Sequence, residues 1–104
     1  MFKMQTTPQF ESMVRKFARS DKAAYQQIKK AIGLLLENPS HPSLRSRPIK
    51  GHKPLMEASV NMDIRIVWQY AGSNTILFYN VDRHDRPHHR RSGTVEKYQD
   101  AAPG

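Results

Sequence analysis

The stretch that decides the fold is Met56-Glu-Ala-Ser-Val-Asn-Met-Asp-Ile-Arg-Ile-Val-Trp-Gln69. Met56, Ala58, Val60, Met62, Ile64, Ile66 and Trp68 alternate with Glu57, Ser59, Asn61, Asp63, Arg65, Val67 and Gln69. A period of two marks β-structure with one face in a core. Asn61-Met62-Asp63 supplies turn chemistry in its middle. Residues that oppose each other in a hairpin share a face. The apolar residues of both arms are even-numbered, which excludes a two-residue loop and fits a loop over 61–63. Val60 then faces Ile64, Ala58 faces Ile66 and Met56 faces Trp68. On the polar face Glu57 is expected opposite Arg65, and Ser59 opposite Asp63. A single long bent strand is the alternative, and it would separate Glu57 from Arg65.

The flanking sequence is read outward from this hairpin. Downstream, Ala71–Asn74 with Gly72 is a turn, and Thr75–Val81 is apolar on both faces, as a central strand is. Asp82-Arg83-His84-Asp85-Arg86-Pro87 ends that strand. Residues 38–54 hold four of the seven prolines and the cations Arg45, Arg47, Lys50 and Lys53, with no acid. They read as a basic loop, with at most a short extended piece near Leu44. Upstream, Phe10, Met13, Val14 and Phe17 form one helical face behind a Thr7 cap and Pro8. Tyr25, Ile28, Ile32, Leu35 and Leu36 form the face of a second helix, with Ser20 as its expected cap and Asn38-Pro39 as its stop. Phe2–Thr6 is a short strand, with Phe2 and Met4 on one face. The order β-α-α-β-β-β implies an α+β fold, an N-terminal helical hairpin on a small, twisted, mostly antiparallel sheet. Residues 1–86 are expected to form one domain, and 87–104 a basic, frayed tail with one helical turn near Val95–Tyr98.

Composition narrows the function. The 104 residues carry 17 Lys and Arg against 9 Asp and Glu, a net charge of +8, and no cysteine. A disulfide framework, a thiolate metal site and a cysteine nucleophile are thereby excluded. The longest apolar run, Ala31–Leu36, falls far short of the roughly 20 residues of a membrane span. With no basic-then-apolar leader pattern, the expectation is a cytoplasmic protein away from membranes. A strong positive charge favours a polyanionic partner, and nucleic acid leads. The scattered acids argue against a metal site, although His84, Asp85 and His88 have possible ligand spacing.

The constellation that carries chemistry is Glu57, Arg65 and His84. As surface residues they would be a weak salt bridge and an exposed histidine. As a site they suit metal-independent RNA cleavage. RNA supplies its own 2′-hydroxyl nucleophile, and the protein supplies a base, a cation for the phosphorane and an acid for the leaving 5′-oxygen. Glu or His can act as base, Arg forks onto phosphate, and His titrates near neutrality.

Four motifs in order carry a resemblance: Asn38-Pro-Ser-His-Pro-Ser-Leu-Arg45, Ile49-Lys-Gly51, Met56 to Trp68, and Asn80-Val-Asp-Arg-His-Asp85. Over residues 8–86 the chain resembles the RelE/ParE toxin superfamily of bacterial toxin–antitoxin modules. The resemblance implies a microbial-RNase-like fold. It also implies an endonuclease that enters the ribosomal A site and cuts mRNA, leaving a 2′,3′-cyclic phosphate and a 5′-hydroxyl, without a cofactor. The implied partner is an acidic antitoxin. Arg65 matches the strand arginine that holds the scissile phosphate, His84 a catalytic position at the end of the last strand, and Glu57 a general-base position. Ser59 and Asp63 fall where a relative carries His and Asp, as possible accessory residues. Arg45, Arg47, Lys50, Lys53, Arg83, Arg86 and His88 are the implied RNA-binding residues. Where several members stack a Tyr or Phe on the mRNA base, this chain has Pro87, His88 and His89. The alternatives are a ParE-like DNA gyrase inhibitor, which needs no such polar trio, and an inactive relative that only binds antitoxin or RNA.

Overall fold

A computed structural model of the chain describes residues 1–84. The elements run β1 (Lys3–Thr6), α1 (Pro8–Ser20), α2 (Lys22–Glu37), a 3-10 turn (Pro42–Leu44), β2 (Arg47–Pro48), β3 (Met56–Ser59), β4 (Ile64–Tyr70) and β5 (Thr75–Arg83). They form one five-stranded sheet in the order β1-β5-β4-β3-β2. β1 runs parallel to β5 and the other pairs are antiparallel.

The hairpin is there with the expected apolar register, Met56 opposite Trp68 and Ala58 opposite Ile66. Asn61 closes its loop, because its Oδ1 accepts from the Asp63 and Ile64 amides at 2.7 and 2.8 Å. The polar pairs differ from expectation. Glu57 stands opposite Val67, and Ser59 opposite Arg65. Once Ala58 meets Ile66, the residues on either side of them must meet each other. Glu57 opposite Arg65 would have required a slip of two residues.

Both helices lie on the face that carries Trp68. Phe10 and Phe17 from α1 and Ala24, Ile28, Ala31 and Leu35 from α2 are buried against Ile64, Ile66, Trp68, Ile76, Phe78 and Val81. Tyr25, Ile32 and Leu36 only flank this core. Thr7 caps α1, its Oγ1 accepting from the Phe10 amide at 3.0 Å. Asp21, and not Ser20, caps α2, accepting from Ala24 N at 3.1 Å. Ser20 is still inside α1 and donates its hydroxyl to the Lys16 carbonyl. Phe2, just before β1, packs on the core, while Met4 within the strand is exposed. The extended piece of the basic loop falls at Arg47–Pro48, after the turn that holds Leu44.

β5 runs on through Arg83, two residues past its expected end, and contains a bulge. Val67 pairs with Asn80 but Trp68 with Phe78, so Tyr79 is an extra residue. Thr7 holds the bulge by donating its hydroxyl to the Tyr79 carbonyl at 2.6 Å. A bulge reverses which residues share a face. Beyond it Val81 and Arg83 join the helix face, opposite Ile66 and Ile64. Asn80 and Asp82 take the other face, opposite Val67 and Arg65. On that second face Leu55 and Ile49 bring the basic loop down onto Val67 and Tyr79. The expected tail, with its helical turn, lies outside the described residues.

Candidate active site

Two turns meet at the β3–β4 end of the sheet. The first is Asn61-Met62-Asp63. Its Asn61 Nδ2 also donates to Gln27 Oε1 at 2.6 Å, tying the turn to α2. Arg65 folds back on this turn, with Nη1 donating to the carbonyls of Asn61 at 2.7 Å and Ile64 at 3.2 Å. A guanidinium has five donors on a rigid fork, so two backbone contacts fix its plane. The second turn is Pro42–Leu44. Leu44, 1% exposed, anchors it in the core. His41 caps it, its Nδ1 accepting from Ser43 N at 3.2 Å and lying 2.8 Å from Ser43 Oγ. Arg45 follows with a left-handed backbone, φ 49°. Between the turns opens a cleft of about 300 Å³, lined by Ser43, Arg45, Ser59, Val60, Asn61, Met62 and Arg65. It carries two guanidinium side chains and no carboxylate, the electrostatics of an anion site.

The expected trio is distributed along a diagonal of the face opposite the helices. Arg65 lies on β4 opposite Ser59 on one side and Asp82 on the other. Glu57 lies on β3 two positions along, opposite Val67. There it pairs with Arg47 at 3.3 Å. His84 is exposed just past β5, and its amide donates to the Asp63 carbonyl at 2.5 Å. The alternation of β5, continued by one residue pair from Asp82, puts His84 on the face of Arg65. By strand and sheet spacing, Glu57 and His84 are each about 8 Å from Arg65 at the backbone, in opposite directions.

Other expected RNA contacts have different work. Arg83 belongs to the helix side because of the bulge. It donates to Asp63 at 2.5 Å and Asp21 at 3.2 Å, and lies 5.3 Å from the centre of the Phe17 ring. Hydrogen bonds from Arg83 to Asp63 and Asp21 hold its guanidinium above the usual arginine range. The Asp21 carboxyl is held below its usual range, first by the Ala24 amide and then by Arg83. Asp63 is therefore an ion-pair partner. Lys50 and Lys53 are exposed on the loop that Ile49 and Leu55 fasten to the sheet. Arg86 and His88 lie outside the described residues. Among the described residues no three His, Asp or Glu side chains gather as metal ligands, and no helix is long and apolar enough to cross a membrane. No residue pattern announces the His41–Ser43 pair or the Arg83 cluster. His-Pro-Ser reads only as a loop, and Arg83 changes face through a bulge that no residue pattern marks.

No family model matches the sequence, and none of the curated proteins is similar to it in sequence. Solved structures are similar to it. A YoeB/ParE toxin from Agrobacterium tumefaciens matches with a TM-score of 0.72 at 18% identity, over 80% of this chain and 99% of that one. The chain has the fold of such toxins. YafQ in the E. coli DinJ-YafQ complex gives a TM-score of 0.67 at 18% identity, over 81% and 94%. The YoeB-YefM complex from Staphylococcus aureus gives 0.68 at 15%, over 82% and 99%. At these identities the likeness is one of fold.

Proposed function

We propose that the protein is the toxin of a type II toxin–antitoxin module and an endoribonuclease that cuts mRNA on the ribosome. The observation that carries this reading is the position of Arg65. It lines with Arg45 a cleft that no carboxylate lines, and it stands on β4 with Glu57 on one side and, on the other, Asp82, two residues before His84. In-line cleavage needs a base and an acid on opposite sides of the phosphorus, with positive charge between them. In this reading Arg65 and Arg45 hold the scissile phosphate. Glu57 takes the 2′-hydroxyl proton, and Arg47 moves from Glu57 to the RNA backbone. The 2′-oxygen attacks phosphorus, the bond to the 5′-oxygen breaks, and His84 protonates the departing oxygen. The products are a 2′,3′-cyclic phosphate and a 5′-hydroxyl, and no step calls for a metal ion. The shared fold with YoeB and YafQ supports the reading. Those toxins are solved with YefM and DinJ, and the +8 charge suits an acidic antitoxin that neutralises the toxin.

The test is primer extension on cellular mRNA after brief induction, comparing wild type with Arg65→Ala and His84→Ala at equal protein levels. Discrete cuts within translated codons, absent in both variants, are expected. Growth arrest without cuts would sink the nuclease reading and move the target to a protein such as DNA gyrase.

A further inference from the structure

The cleft at Arg65 does not end at its own walls. A second hollow, of about 210 Å³, shares Ser43, Ser59 and Val60 with it and continues to Gln27 and Lys30 on α2. The two form a groove with guanidinium groups at one end, an ammonium at the other and serine hydroxyls between. The chemistry of Ser43 is specific. A backbone N–H can only donate, so the Ser43 amide fixes His41 Nδ1 as a lone pair, with the ring proton on Nε2. Ser43 Oγ, 2.8 Å from the same nitrogen, gives its own proton to it. Oγ is then left with lone pairs and no donor. A phosphate oxygen, itself only an acceptor, gains nothing from such a hydroxyl. A ribose 2′-hydroxyl, which has a proton to give, does.

We infer that Ser43, oriented by His41, reads the 2′-hydroxyl of a neighbouring ribose, not the one whose 2′-hydroxyl attacks, and that Lys30 holds the phosphate beyond it, so that the groove selects single-stranded RNA over DNA. This rests on the reading of the cleft as an RNA site and extends it by one nucleotide towards α2. Ser43 is the contact residue. His41 is a positioning residue, which acts only through Ser43.

The measurement is fluorescence anisotropy of the full chain at low salt with a labelled oligouridylate hexamer and its deoxyuridylate counterpart, which share every base atom. Wild type is expected to prefer the ribose form by about 5-fold, the size of one neutral hydrogen bond. Ser43→Ala and His41→Ala bring the ratio near one. His41→Asn, whose side-chain oxygen can still accept at a turn cap, keeps the preference. A merely structural role for His41 would weaken both oligomers alike. Lys30→Ala weakens both, and lowers the slope of log affinity against log salt by about 0.7, one phosphate contact on a single strand. An equal affinity for the two oligomers, a preference that survives Ser43→Ala, an unchanged salt slope in Lys30→Ala, or no measurable binding overturns the inference. Cleavage is scored separately by primer extension. Ribose selection without mRNA cuts leaves the groove standing and removes the nuclease reading.

Discussion

Arg65 shows how much one side chain can carry. Its fork is tied to the Asn61 and Ile64 carbonyls before any ligand arrives, so little ordering is left for the moment of binding. Arg65→Ala is expected to slow single-turnover cleavage on translating ribosomes by about 10²–10³-fold, the cost of losing one preorganised donor. The circular-dichroism melt should stay close to wild type, because Arg65 is only half-buried. Arg65→Lys is expected to recover little, since a point charge cannot grip the turn and fork onto phosphate together. A lysine variant with full activity would show that charge alone suffices there. Glu57→Gln keeps the shape of the base and loses its function. It should cut the rate by about 10²–10⁴-fold. A rate unchanged by Glu57→Gln would give the role of base to another group. Arg65 and Glu57 were both legible from the alternation of Met56 to Gln69. Their separation follows from the apolar register, since Ala58 opposite Ile66 places Glu57 opposite Val67 and not opposite Arg65.

At the scale of elements, the corner between α1 and α2 is joined to the end of the sheet through Arg83. Asp21 closes α1, caps α2 and meets Arg83, which also meets Asp63 of the β3–β4 turn. The folded state holds the Asp21 carboxyl below its ordinary value of 3.8. Its contribution to stability is therefore complete above that value and is lost as pH falls through the lower, folded-state value. Asp21→Asn retains a capping oxygen and loses the charge, whereas Asp21→Ala loses both. Thermal melts should place Asp21→Asn below wild type at pH 7, and the gap should close in the acid range below 3.8. Asp21→Ala should melt lower than Asp21→Asn at every pH. The ion pair is exposed, so the gap at pH 7 should also shrink with salt. A gap that persists in acid would show that Arg83 does not depend on the Asp21 charge. The cluster was hidden from the sequence for a geometric reason. Uninterrupted alternation along β5 would put Arg83 on the same face as Tyr79, and the bulge at Tyr79 sends it to the helix side instead. The helices, the hairpin and the turn at Gly72 needed only local patterns, so they were readable.

Across the whole molecule, charge and core can be separated along the chain. Residues 1–86 contain 14 of the 17 basic and 7 of the 9 acidic residues, and so hold +7 of the +8 net charge. Among the described residues, the buried apolar side chains of the main core run from Phe10 to Val81. If residues 1–86 are the functional domain, a chain ending at Arg86 has both what folding needs and what attracts a polyanion. It should melt within a few degrees of the full chain and give the same salt slope with oligouridylate to within about one phosphate contact. Loss of the cooperative melt would place essential packing beyond Arg86. A slope that falls by several contacts would place RNA-binding cations there, in the segment that holds Arg90, Arg91 and Lys97. The distinction bears on mechanism, because the catalytic face proposed here ends at His84. If the shortened chain binds as before but no longer cuts mRNA, binding and chemistry divide at Arg86. The residues after it would then act on the nucleotide at the cut, while Arg45, Arg65 and Lys30 hold the strand.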